Sequence, residues 1–182
     1  MTDRYSLVAS SAEVTARITK LADEILSAHT SSPLFVALLK GAAPFAAKLM
    51  FELSEQNPDF HPELDYMMVA TYGSGRHAGE PRIVTDLDPR SNVAGRTVII
   101  LDDVLDKGIT ADFVRTHLLA LGAEKIELAV LVDKQTTRVK DIEADYYGLK
   151  AKDEWLVGMG MDDADLTHEG HRWLNEIRQI NR

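Results

Sequence analysis

The strongest constraint on this chain is a set of short, nearly continuous apolar runs that stop abruptly at charged or glycine residues. Leu34–Leu39, Thr97–Leu101 and Glu127–Val132 each have strand length, and they give way to Lys40-Gly41, Asp102-Asp103 and Asp133-Lys134. A run that is apolar throughout, rather than at every second position, belongs to a strand covered on both faces. Leu64 to Thr71 reads as a further strand, with Ile83 and Val84 as its return. Helical patterns lie between the runs. Ser10 and Glu13 have capping-box spacing before a stripe of Val14, Ile18, Leu21, Ala22 and Ile25. A second helix is expected from about Pro44 to Ser54, with proline in its first turn. Phe113, Val114, His117, Leu118 and Leu121 mark a third, closed by Gly122. This alternation predicts an α/β fold with a mainly parallel central sheet flanked by helices.

With 182 residues, 45% hydrophobic and 27% charged, the chain fits one globular domain. It carries 29 acidic and 20 basic residues, a net charge of −9, which disfavours general nucleic-acid binding. The absence of cysteine excludes disulfides, thiolate zinc sites and a cysteine nucleophile. The start of the chain lacks the basic and then apolar runs of a signal peptide, and no apolar stretch approaches membrane-spanning length. The expectation is a cytoplasmic protein with no membrane partner. The six histidines show no metal-ligand spacing.

Ligands of open parallel sheets bind beyond the carboxyl ends of the strands. The richest such end is Val98-Ile99-Ile100-Leu101-Asp102-Asp103-Val104-Leu105-Asp106-Lys107-Gly108-Ile109-Thr110. Two adjacent carboxylates suit a diol or a cation. The turn that follows opens a helix, and its N–H groups, with the Thr110 hydroxyl, form a phosphate cradle that Gly108 lets a ligand approach. A phosphate beside a diol is a phosphorylated ribose. No Walker-type phosphate loop is present.

This segment resembles the phosphoribosyl-pyrophosphate signature of type I phosphoribosyltransferases. From about Leu34 to Asp162 the chain is similar to the hypoxanthine-guanine branch in particular. The resemblance implies that Lys40, Gly41, Asp102, Asp103, Asp106, Lys107, Gly108, Ile109, Thr110 and Arg138 bind phosphoribosyl pyrophosphate, with Arg138 and Lys40-Gly41 on the pyrophosphate. It implies that Lys134, Trp155, Leu156 and Asp162 bind the purine, Lys134 through the 6-oxo group and Trp155 by stacking. Asp106 becomes the catalytic residue near purine N7. The implied cofactor is Mg2+, on Asp102, Asp103 and Asp162.

The same resemblance implies one domain over residues 1–182, with a mobile loop at about 72–80 and a base-binding hood from about 1–10 and 145–182. It implies purine salvage, in which hypoxanthine or guanine gives IMP or GMP, and a homodimer or homotetramer. A xanthine-preferring enzyme is one alternative. The other is a pyrimidine-operon RNA-binding regulator of the same fold, although such proteins carry tyrosine where this chain has Asp106. The chain departs from the branch at Asp102, commonly glutamate, and at Lys107, commonly threonine. After Asp162 the usual aromatic-arginine pattern gives way to Asp163-Ala164-Asp165-Leu166-Thr167-His168.

Overall fold

The apolar runs form strands that are buried along nearly their whole length. The computed structural model describes residues 4–71, 80–136 and 138–181. Tyr72 to Gly79, where the resemblance implies the mobile loop, lies outside the described residues. In chain order the elements are β1 (Tyr5–Ala9), α1 (Ser11–Ala28), β2 (Leu34–Leu39), α2 (Ala43–Gln56), β3 (Glu63–Thr71) and β4 (Pro81–Thr85). Then come β5 (Thr97–Leu105), α3 (Ile109–Ala120), β6 (Lys125–Lys134), β7 (Tyr146–Ala151), β8 (Leu156–Val157) and β9 (Ile177–Ile180).

Six strands form one sheet ordered β4-β3-β2-β5-β6-β7. Only β4 runs antiparallel to its neighbour. Alternate residues of each central strand feed different cores. Phe35, Ala37, Ile99 and Leu101 pack beneath α1 and α2. Leu34, Val36, Val98 and Ile100 pack on the other face with Val114 and Leu118 of α3. Two covered faces explain why no polar alternation is visible in these runs.

The capping box forms as its spacing predicts. The Glu13 N–H donates to Ser10 Oγ at 3.3 Å, and the Ser10 N–H donates to the Glu13 carboxylate at 2.8 Å. The stripe from Val14 to Ile25 is fully buried. At the far end of α1, His29 Nε2 lies 2.8 Å from the buried Glu127 carboxylate and 3.2 Å from the Tyr146 hydroxyl, fastening the helix to β6 and β7.

Several boundaries differ from the sequence reading. β5 does not stop at Leu101, and β6 does not stop at Val132. Their ladder continues through Val104↔Val132 and Leu105↔Asp133. Charged side chains leave a strand intact where the backbone pairing is complete and the side chains face a crevice. Leu121, expected in the α3 stripe, lies past the helix end and is exposed. Residues 146–151, grouped with the hood above, form the edge strand of the central sheet. Separate from it, β1, β9 and β8 make a three-stranded antiparallel sheet drawn from both ends of the chain.

Ser10→Ala removes a reciprocal cap and should lower the unfolding free energy by about 1 kcal/mol, read by urea denaturation. An unchanged midpoint would show that packing of the buried stripe alone holds the start of α1.

Candidate active site

Parallel strands bring their carboxyl ends to one edge. That edge gathers the β2–α2 turn with Lys40 and Gly41, the end of β5 with Asp102, Asp103 and Asp106, and the end of β6 with Asp133 and Lys134.

The turn after β5 is rigidly built. Gly108 precedes α3 in the left-handed region, at φ 78°. A Cβ there would lie 2.5 Å from Ile142 Cγ2, so a larger residue is excluded twice over. The Val139 and Lys140 N–H groups donate to the Lys107 carbonyl at 3.0 and 3.3 Å. Helix α3 has no side-chain cap, which leaves its first N–H groups directed at a cleft. That cleft, of about 210 Å³, is lined by Asp102, Asp106, Lys107, Gly108, Ile109 and Thr110 among others. It is suited to a phosphate.

Asp106 stands between this cleft and a second one, of about 190 Å³, lined by Asp103, Asp106, Lys134, Trp155, Leu156, Met161 and Asp162. Lys134 is only 7% exposed, and its Nζ lies 3.3 Å from Asp106 Oδ2 and 5.9 Å from the Trp155 ring centre. The Thr136 hydroxyl donates to Asp106 Oδ1 at 3.2 Å, and Lys107 Nζ lies 3.8 Å from that oxygen. Trp155 is 38% exposed, so its ring forms a wall of the cleft rather than part of the core.

Asp102 and Asp103 are an uneasy pair. Burial, and then the charge of Asp103, push the Asp102 carboxyl well above its ordinary range. Burial raises Asp103 too, while Asp102, the Val104 N–H and the positive charge of Arg172 pull it partly back. The surroundings are tight. A Cβ on Gly41 would sit 2.6 Å from Asp103 Oδ2, and one on Gly160 would sit 1.8 Å from the Gly41 carbonyl oxygen. The peptide bond between Leu39 and Lys40 is cis.

Two expected residues are placed differently. The Arg138 guanidinium donates to the Leu105 carbonyl at 2.9 Å, and to the Asp106 carbonyl and the Asp133 carboxylate. It braces the loop from behind instead of entering either cleft. Asp162 pairs with Arg172, its Oδ2 3.0 Å from Nη2. Among the described residues no three His, Asp or Glu side chains converge on a metal position, while Asp162 lines the same cleft as Asp103. The two adjacent carboxylates alone still fit magnesium, which is commonly held by one or two carboxylates together with substrate phosphates. Burial above all raises their affinity for protons, and a cation would offset that penalty on the charged form.

Residues 8–164 match the family described as the phosphoribosyl transferase domain. The chain belongs to the phosphoribosyltransferase family. A hypoxanthine-guanine phosphoribosyltransferase of Streptococcus thermophilus is 35% identical over 162 residues, which is 88% of this chain and 86% of that protein. One from Bacillus subtilis is 33% identical over 165 residues, covering 90% and 88%. The crystal structure of a hypoxanthine phosphoribosyltransferase from Staphylococcus aureus superposes with a TM-score of 0.85 at 29% identity, over 97% of this chain and 91% of that one.

Within this phosphoribosyltransferase, sequence reasoning missed Thr136, Glu169 and Arg172. Thr136 sits two residues beyond Lys134 and holds Asp106. Arg172 reaches both Asp162 and the Gly160 carbonyl from a turn ten positions downstream, with no local motif to announce it. Glu169 bonds Lys40 from the far end of the chain.

Asp102→Asn should stabilise the ligand-free protein at neutral pH. The fold holds a proton on Asp102 more tightly than the unfolded chain does. Stability is therefore lost as pH rises from the ordinary value of 3.8 through the raised one, and the penalty persists above it. The gain from asparagine should vanish below the ordinary value. Urea unfolding of both proteins between about pH 4 and 8 reads this, and a pH-independent difference would contradict it.

Proposed function

We propose that the chain transfers the 5-phosphoribosyl group of phosphoribosyl pyrophosphate to hypoxanthine or guanine, releasing IMP or GMP and pyrophosphate in purine salvage. The observation that carries this reading is the Lys134–Asp106 pair, 3.3 Å apart, opening on a cleft walled by Trp155. An ammonium offers only donors, and a carboxylate only acceptors. A 6-oxopurine protonated on N7 presents the complement along one edge. O6 accepts from Lys134 while N7–H donates to Asp106, so the base replaces the direct ion pair with two hydrogen bonds. Trp155 stacks on the ring, and Leu156 and Asp162 border its far side.

The neighbouring cleft takes the 5′-phosphate through the α3 N–H groups of Ile109 and Thr110, the Thr110 hydroxyl and Lys107, with Gly108 permitting close approach. Asp102 and Asp103 face the ribose hydroxyls, and Lys40 and Gly41 take the pyrophosphate. Purine N9 forms the bond to C1′ as the C1′–oxygen bond breaks, and its electron pair departs with pyrophosphate. The proton on N7 passes to Asp106. Asp102 and Asp103 would hold magnesium, which when bound would supply positive charge beside the leaving group. Arg138 keeps the loop carbonyls in place.

The reading extends to one domain over residues 1–182, a cytoplasmic location and a homodimer or homotetramer. No described helix is long and apolar enough to cross a membrane, and Phe51, 70% exposed on α2, leaves apolar surface for a second copy to cover.

Incubation with phosphoribosyl pyrophosphate, magnesium and a panel of bases tests the reaction. IMP or GMP should form, and AMP should not. Product from xanthine alone would move the preference to that base, and no product from any base would overturn the enzyme reading in favour of a binding role. Asp106→Asn should lose on the order of 10²–10⁴-fold in turnover while remaining folded, as general acid–base groups do.

Lys134→Ala tests base choice. The 6-amino group of adenine sets a donor against the Lys134 ammonium, and sites built around such a bond discriminate by on the order of 10⁴-fold. The variant should lose its 6-oxopurine rate without gaining adenine turnover. Comparable specificity constants for adenine and hypoxanthine in the unaltered protein would sink the role of Lys134.

A further inference from the structure

We infer that Glu169 is a built-in competitor for the diphosphate: its carboxylate pairs with Lys40 and must be displaced before a diphosphate can use that ammonium. The inference rests on the reading of Lys40-Gly41 as the pyrophosphate-binding turn.

Lys40 Nζ donates to Glu169 Oε1 across 129 positions of sequence. The Lys40 side chain is 49% exposed, so the ammonium is accessible to a ligand, and its three donors are what a diphosphate oxygen would seek. A carboxylate at this point is counterproductive for holding an anion. It cancels the local positive charge, and it repels any diphosphate that approaches from solvent.

Glu169 is delivered to this place by a constrained loop, unlike an ordinary surface partner. Its φ is +63°, and His171, two residues on, has φ +60°. Residues with side chains occupy that region only where their surroundings enforce it. The enforcement is visible at Asp163, which is 1% exposed. Its N–H donates to the Gly170 carbonyl at 2.8 Å, and its carboxylate accepts from the Tyr5 hydroxyl at 2.7 Å and from Arg4 at 2.8 Å. Gly170 itself has no room for a side chain, since a Cβ there would meet the Asp163 carbonyl at 2.6 Å. The loop that carries Glu169 is thus anchored to β1.

The hydrogen bond from Lys40 lowers the Glu169 pKa against the opposing effect of burial, and the charges of Lys40, Arg172 and His168 add to it. Glu169 therefore remains an anion at neutral pH. A partly exposed pair of this kind is worth little enough to be broken by a ligand. Its effect is to lower diphosphate affinity, for the substrate on entry and for pyrophosphate on exit.

Titration of inorganic pyrophosphate in the presence of magnesium, followed by calorimetry, tests this on the full chain. Glu169→Gln keeps the size of the side chain and removes its charge. It should bind pyrophosphate about two- to fivefold more tightly than the unaltered protein, the range an exposed ion pair supports. The gain should shrink at high ionic strength and disappear when Lys40→Met is added. Equal or weaker binding by Glu169→Gln, or a gain that survives Lys40→Met, overturns the inference while leaving the turn's assignment intact. If neither the unaltered protein nor Glu169→Gln binds pyrophosphate, the assignment of the turn fails and the inference falls with it.

Discussion

Two neighbouring carboxylates at the end of a buried strand set the terms for everything around them. Burial disfavours the charge of both Asp102 and Asp103, and Asp103 makes that of Asp102 harder still to bear. The protein supplies backbone N–H groups and the distant field of Arg172, which moderate the cost without removing it. A site with that imbalance favours cations and ligands that bring them. The close packing beside it needs glycine at both Gly41 and Gly160, since a Cβ on Gly41 would strike the Asp103 carboxylate and one on Gly160 the Gly41 carbonyl. Electrostatic tension and steric confinement are here one arrangement seen from two sides.

Asp106 works under different conditions. It is half-exposed, shared by two clefts, and surrounded by Lys134, Lys107 and the Thr136 hydroxyl. A carboxylate so placed is a strong acceptor with a fixed direction, which suits a proton arriving from a ligand nitrogen. The same strand and turn therefore hold three aspartates in two electrostatic environments. One is dry and starved of positive charge, the other wet and rich in it. Carboxylates four residues apart thus stand in opposite electrostatic surroundings.

Much of this was legible in the sequence because it depends on neighbours along the chain. The capping box at Ser10 and Glu13, the doubly covered strands and the glycine turn that opens α3 are local patterns with local physics. What escaped depends on distance. Tyr146–Ala151 did not read as a strand because Gly148 breaks its pattern, and that glycine is small because a Cβ would press on the Leu131 carbonyl at 2.8 Å. Asp163 looked like one more acid in a charged turn, yet it is buried and its pKa is lowered, since the Tyr5 hydroxyl and Arg4 outweigh the effect of burial. Arg138 sits at the position the resemblance implied, but Leu105, Asp106 and Asp133 occupy its guanidinium. Position along a chain indicates which residue is available, while the fold decides what it touches.

The pairing of β1 with β9 carries a consequence for biosynthesis. Tyr5 lies opposite Ile180, and Asn181 donates to the Arg4 carbonyl. A ribosome makes β1 long before its partner β9. Until the final strand emerges, the central sheet has all six of its strands, but the segments that cover its carboxyl edge have nothing to close against. The nascent chain therefore carries Asp102 and Asp103 on a nearly finished scaffold without the terminal sheet beside them. Contacts so remote in sequence carry a high loop-closure cost, which favours their forming after more local ones. A chain lacking the segment from Ile177 onward would keep most of its core and leave β1 without a partner strand.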